Sequence, residues 1–181
     1  DPTLLVDPPK LPKRLPSPLA NEDVRRVIEA TSGDTRRMVM LGSMAGLRCS
    51  EIAALRWADV DHDRGVVVVR NGKGGRDRVV PMARALASEL ANRDGEGVSE
   101  FLFPGLSGQK VGHRIRSALR RLEIQRRPHD LRHSFATEVA QRANGNLVVV
   151  AKLMGHESVL TTEKYVDWSP DGSHLVADLF S

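Results

Sequence analysis

The chain has 181 residues, 40% of them apolar and 28% charged, with a net charge of +4. This balance excludes a disordered segment and suits a globular domain with a sizeable core. The apolar runs, such as the four valines at 66–69, are far too short to span a bilayer, and prolines interrupt any apolar leader near the start.

Six prolines in residues 1–18 alternate with Lys10, Lys13 and Arg14, which reads as an extended basic linker. The chain opens on Asp1 rather than Met, so an upstream domain is expected. Asn21 is predicted to cap a first helix that carries Glu22 and Asp23 in its first turn and buries Val24, Val27 and Ile28. Asp34 is predicted to cap a second, with Met38, Leu41 and Met44 or Ala45 turned inward. Gly46 interrupts the pattern, and a short helix through Ile52 and Leu55 follows. "GVVVVRNGKGGRDRVVP" predicts a β-hairpin with strands at 66–70 and 77–80 around a glycine-rich turn.

From Ala83 onward the spacing is helical. Val111, Ile115, Ala118, Leu119 and Leu122 fall on one helical face. Residues 110–127 carry Lys110, Arg114, Arg116, Arg120, Arg121, Arg126 and Arg127 against a single acid, Glu123, for a net +6 that exceeds the whole-chain excess. By charge alone this is equally a solvated face or a phosphate-contacting one. "HDLRHSFATEVAQRA" predicts another helix, ended at Asn144-Gly145, and "NLVVVAKLMGH", "ESVLTTEKYV" and "SHLVADLF" predict three short ones. The fold class expected is therefore mainly α with a small antiparallel sheet. Cys49, the sole cysteine, precludes an internal disulfide and suits a reducing cytoplasm.

"HDLRH" at 129–133 is the most informative stretch. On a helix His129, Arg132 and His133 stand at i, i+3 and i+4 and share one face. A zinc-protease reading needs Glu directly after the first histidine, but Asp130 stands there, and Arg132 would repel a cation. An arginine between histidines suits an anion, with the guanidinium forked onto phosphate oxygens and imidazoles moving protons. Arg48 is a second such arginine beside a glycine-permitted bend, and Glu51, one helical turn on, can orient a neighbouring side chain. Taken alone, that pair also reads as a plain surface salt bridge. Lys73 tips the predicted hairpin, and Tyr165, the only tyrosine, sits on a polar stretch that does not read as core.

Together "AGLRCSEIAALRWADVD", "GKGGRDRVVP", "PHDLRHSFAT" and "LMGHESVLTTEKYV", in this order and spacing, resemble the tyrosine recombinases, which include the phage integrases. The resemblance runs over nearly all of Leu19–Trp168. It implies that Arg48 and Arg132 are paired phosphate-binding arginines, Lys73 the hairpin lysine, His129 and His156 the active-site histidines and Tyr165 the nucleophile. Glu51 and His133 match supporting positions, and Lys110, Arg114, Arg116 and Arg120 are candidate DNA contacts.

This chemistry has physical sense. Attack on a phosphodiester builds charge on the non-bridging oxygens, which two arginines can clamp as a metal would elsewhere. Tyrosine ionises only near pH 10, so its proton must be removed or its anion favoured by cations. A covalent 3′-phosphotyrosine conserves the bond energy, so no metal, ATP or other cofactor is expected. The implied partners are double-stranded DNA recombination sites and further copies of the chain in a synaptic tetramer, with no membrane. The resemblance also implies that 1–18 is a linker from an upstream DNA-binding domain, 19–168 the catalytic domain, and 169–181 a tail that docks on a neighbouring protomer or folds back on its own domain. Leu175, Val176, Leu179 and Phe180 give that tail its apolar face. Two rival readings are a type IB topoisomerase, which shares the chemical logic, and a non-enzymatic helix-rich DNA-binding regulator.

Overall fold

A computed structural model describes residues 18–70, 77–91, 99–143, 146–155 and 176–180. In chain order the described elements are α1 (Asn21–Glu29), α2 (Gly33–Met44), α3 (Cys49–Ala54), β1 (Val60–Asp61), β2 (Val66–Val69), β3 (Arg78–Pro81), α4 (Arg84–Ala91), α5 (Gly108–Arg121), α6 (Pro128–Arg142) and α7 (Leu147–Met154). The expected class, mainly α with a small antiparallel sheet, is the one observed.

The centre of the fold is α2. Every residue from Arg37 to Met44 is buried, because α1, α4, α5 and α6 all pack around this helix. The expected inward set, Met38, Leu41, Met44 and Ala45, is buried, and so are its neighbours Val39 and Met40. A helix surrounded on all sides loses the two-faced pattern of a surface helix. Ser43 is tolerated there because its hydroxyl donates to the Val39 carbonyl at 2.9 Å. The caps differ from expectation by one or two residues. Ala20 rather than Asn21 precedes α1, and the Asn21 amide donates to Glu138 on α6 at 3.2 Å. Ser32 rather than Asp34 precedes α2, and Asp34 pairs at its first turn with Arg37 and Arg114 at 3.8 and 3.7 Å.

Gly46 ends α2 in the left-handed region, at φ +63°. Leu47 N–H closes back on the Leu41 carbonyl at 3.1 Å, and α3 starts two residues later. A Cβ on Gly46 would stand 2.5 Å from Cδ1 of Phe135, a fully buried residue of α6. Glycine is thus required twice, for the backbone angle and for the close approach of this turn to α6.

The hairpin strands are β2 and β3, shifted by a residue from their predicted ends, with Val67 opposite Val80 and Val69 opposite Arg78. Burial alternates along β2, Val67 and Val69 facing the core. A two-residue strand that sequence spacing did not foresee, β1, adds to its outer edge to give the order β1-β2-β3. The predicted hairpin turn at 71–76 lies outside the described residues, as do Asn144-Gly145 and the segment 156–175.

The basic helix α5 is amphipathic as expected, with Val111, Ile115, Ala118 and Leu119 buried and Leu122 at its C-cap. Ser107 caps it by accepting the Lys110 N–H at 3.3 Å. Its first residue, Gly108, lies so near α3 that an added Cβ would come within 2.9 Å of the Ser50 Cα. In α6, Pro128 occupies the first turn and the Asp130 carboxylate accepts the Arg127 N–H at 2.8 Å. Val176, Leu179 and Phe180 of the tail are buried in this same core, so their apolar face is spent in cis. The tail backbone is held by Arg84 N–H on the Ala177 carbonyl at 2.9 Å and by Arg142 on the Asp178 carbonyl at 3.1 Å. Over 176–180 these residues run into turns rather than continuing a helix.

Gly46→Ala is expected to lower unfolding free energy by about 1–3 kcal/mol, the usual range for overpacking a tight core, with left-handed strain added. Urea denaturation monitored by circular dichroism measures it. A stability equal to that of the parent would mean that α6 can yield space to this turn.

Candidate active site

The carboxylate of Glu51 organises the residues that the sequence singled out. Glu51 is the third residue of α3, and its side chain reaches back to accept the Arg48 backbone N–H at 2.8 Å. An acid at this position satisfies an orphan donor and lies at the positive end of the helix. The same carboxylate accepts the Arg48 guanidinium at 2.8 Å. It also takes a fork from Arg78 on β3, Nη1 to Oε1 and Nη2 to Oε2, both at 2.8 Å. Arg132 of α6 stands 3.9 Å from Oε2.

Arg132 is almost wholly buried, at 1% exposure. Its guanidinium donates to the carbonyl of Gly46, at the α2–α3 turn, and to that of Met154, at the end of α7. The Met154 carbonyl is left free by a helix end and that of Gly46 belongs to the turn after α2, so each bond satisfies groups that would otherwise be buried without a partner. Burial, then the positive charges of Arg48 and Arg78, hold the Arg132 pKa down to about 9, with Glu51 acting in the opposite direction. The group stays charged at neutral pH, but three arginines share one carboxylate, and the cluster carries surplus positive charge.

His129 lies one turn before Arg132 on α6, at the exposed edge of the cluster. Loss of hydration on its packed side, then the charges of His133, Arg132 and Arg48, lower its pKa, against a raising effect of Asp130. A lowered pKa keeps the imidazole neutral at neutral pH and able to accept a proton. The His133 ring meets it edge to face, 4.7 Å between centroids at 86°. The structure thus brings together Arg48, Glu51, His129, Arg132 and His133. Lys73, His156 and Tyr165 lie outside the described residues.

The four candidate DNA contacts are all exposed on α5. Lys110 donates to the Gly105 carbonyl at 3.4 Å, and Arg114 pairs with Asp34. Arg116 and Arg120 line a shallow groove with Arg126 and Arg127 that contains one acid, Glu123. Cys49 joins this face to the cluster: its sulfur lies 3.7 Å from where a Gly112 Cβ would stand, and the charge of Arg116 reaches its thiol. The basic groove therefore borders the Arg48 end of α3.

Arg78 is the residue that sequence reasoning missed. Its signal was present in "RDRVVP": Arg78 stands two residues before the buried Val80, so both point to the core side of β3. An inward arginine requires an acid partner, but nothing in the spacing identifies Glu51, 27 residues earlier, as that acid.

The sequence pattern that defines the phage integrase family matches residues 18–171. The chain belongs to this family. It is 39% identical over 175 residues to tyrosine recombinase XerA of Thermococcus kodakarensis, an alignment covering 88% of this chain and 61% of the relative. It is 35% identical to tyrosine recombinase XerC of Xanthomonas campestris pv. campestris, covering 91% of this chain and 55% of the relative. Among solved structures it is similar to the integrase from mycobacterium phage Brujita, with a TM-score of 0.80 at 27% identity over 96% of this chain and 61% of that one. It is similar also to XerA recombinase, with a TM-score of 0.71 at 31% identity over 93% of this chain and 65% of that one. This integrase-family chain thus spans about three fifths of the relatives it matches.

Burial alone would raise the Glu51 pKa, but the Arg78 fork and the bonds from Arg48 outweigh it and bring it from an ordinary 4.5 to about 2. A carboxyl whose folded pKa is depressed stabilises the fold fully above its unfolded value and loses that contribution as pH falls through the folded one. The melting temperature is therefore expected to fall steeply between about pH 4.5 and pH 2 in the parent. Glu51→Gln should start lower and lack this part of the slope. Parallel slopes in scanning calorimetry would mean that other carboxyls govern acid unfolding.

Proposed function

We propose that the chain is the catalytic part of a site-specific DNA recombinase that cuts and rejoins double-stranded DNA through a 3′-phosphotyrosine. The observation that carries this reading is the cationic cluster of Arg48 and Arg132 about Glu51, with His129 at its open edge, in a phage-integrase-family chain. Surplus positive charge around a single carboxylate favours an incoming phosphodiester anion over a neutral ligand, and favours still more the second negative charge that grows during attack. The match to XerA and XerC relatives supports the same reading.

In the reaction the Tyr165 hydroxyl oxygen bonds to phosphorus while the bond from phosphorus to the 5′-oxygen breaks. The tyrosine proton passes to His129, and Lys73 supplies the proton that leaves with the 5′-oxygen. Arg48 and Arg132 stabilise the charge that grows on the non-bridging oxygens, with His156 donating to the same phosphate. Attack by the 5′-hydroxyl of a second strand reverses these steps and completes the exchange. The groove lined by Arg116, Arg120, Arg126 and Arg127 supplies flanking backbone contacts, which steer the duplex without reading its sequence.

A nicked duplex that loses its 5′ fragment on cleavage traps the covalent adduct. The parent chain should form this adduct with EDTA present, and Tyr165→Phe should form none while still binding DNA. Arg48→Ala or Arg132→Ala should slow adduct formation by about 10²–10³-fold, as loss of one oxyanion donor does elsewhere. Binding without any adduct would favour a DNA-binding regulator, and relaxation without exchange between duplexes would favour a topoisomerase.

Assembly into a synaptic tetramer belongs to the same proposal. Val176, Leu179 and Phe180 of the tail are buried against their own domain in the single chain, and assembly would transfer them to a neighbour. Deleting Ser173–Ser181 should lower the melting temperature of the free chain and weaken association on paired-site DNA. Sedimentation of both forms on that DNA measures the second effect; identical assembly would reduce the tail to part of the local core.

A further inference from the structure

Arg78 is engaged at three points that belong to three segments. It projects from β3, forks onto Glu51 of α3 with both terminal nitrogens at 2.8 Å, and donates from Nε to the Leu153 carbonyl of α7 at 3.1 Å. Only 8% of its side chain is exposed. The next carbonyl along α7, that of Met154, is held by Arg132. The end of α7 is thus gripped by two arginines of the same cluster, one through each of its last two residues. Gly155 then turns the chain in the left-handed region, at φ +61°, and a Cβ there would approach Arg78 Cδ to 3.0 Å.

We infer that Arg78 is a positioning residue of this site, which orients Arg48 through Glu51 and fixes the end of α7 against the buried Arg132. This rests on the recombinase reading above. The geometry favours positioning over simple packing. Glu51 has two oxygens, and Arg48 and Arg78 share Oε1 while the Arg48 N–H and Arg78 share Oε2. Any rotation of the carboxylate that weakens the Arg78 fork therefore also displaces Arg48. A planar guanidinium can make the fork and the Nε bond together; a lysine ammonium is a point donor and cannot.

Arg78→Lys retains the charge and removes the fork. At saturating nicked DNA it should slow adduct formation by about 10²-fold, the cost of a misplacement near 1 Å, and lower DNA affinity by a much smaller factor. Arg78→Met tests the route through Glu51. Glu51 faces Arg48 from the α2–α3 turn, Arg78 from β3 and Arg132 from α6, with Arg56, Asp59 and Arg70 lining the same shallow pocket. Without Arg78 the carboxyl takes up a proton at higher pH, so the acid limb of the cleavage profile should move upward. In a Glu51→Gln background the further change Arg78→Met should leave that limb where it is. Sulfate gives a readout that needs no cleavage: it should raise the melting temperature of the parent more than that of Arg78→Lys. A merely structural Arg78 would lower melting temperatures while cleavage at saturation, the acid limb and the sulfate response all match the parent, and that result would overturn the inference. A parent chain that forms no adduct would instead sink the recombinase reading, and the sulfate comparison would then decide the role of Arg78 in shaping the anion site.

Discussion

The structure around the site depends on one buried carboxylate. Packing three arginines from three different segments into this space depends on Glu51, because Arg78 and Arg132 are buried from water and Arg48 is only partly solvated. Glu51 offsets part of that cost through short charge-assisted bonds to Arg48 and Arg78. It also starts α3, since the same carboxylate accepts the Arg48 backbone N–H. One side chain thereby fixes where a helix begins, where a strand docks and which way an arginine points.

The balance is left incomplete. Arg132 is held below its ordinary pKa by burial and by its cationic neighbours, and a single carboxylate does not neutralise the three arginines. A protein under selection for stability alone would replace such a cluster by apolar packing, which frequently stabilises. The surplus positive charge is what the proposed reading requires of a group that clamps a phosphate. The carbonyls of Gly46 and Met154 make the arrangement possible: a turn and a helix end supply acceptors without adding charge, so Arg132 is hydrogen-bonded while its positive charge is not neutralised.

The helical framework serves this arrangement. Because α2 is enclosed by its neighbours, the turn that follows it has a fixed position, and Gly46 lets that turn press on Phe135 of α6. Residues 86 apart in sequence, Gly46 and Arg132, then meet as hydrogen-bond partners. The tail packs on the core with its backbone held by Arg84 at the start of α4 and Arg142 at the end of α6. Assembly that moved the tail would therefore act on α6, the helix that also carries His129 and Arg132.

Much of this was legible in the sequence. Helical spacing identified the buried side of α5, valine runs on either side of a glycine-rich turn located β2 and β3, and "HDLRH" placed His129, Arg132 and His133 on one helical face. These are local properties, set by the 3.6- and 2-residue periods of the backbone. The pairing of Arg48 with Glu51 was legible too, because the two are one helical turn apart. The short strand β1 was not, since two residues show no alternation and gain strand geometry only from pairing with β2. Nor was the partner of Arg78, or the burial of Arg132 beneath a more exposed Arg48. The sequence by itself determined which residues are charged, which faces are apolar and which groups can move a proton. Only the tertiary structure decided that three arginines meet at one carboxylate and that two of them grip the end of α7, because contacts between distant segments follow from packing around α2, which no local period encodes.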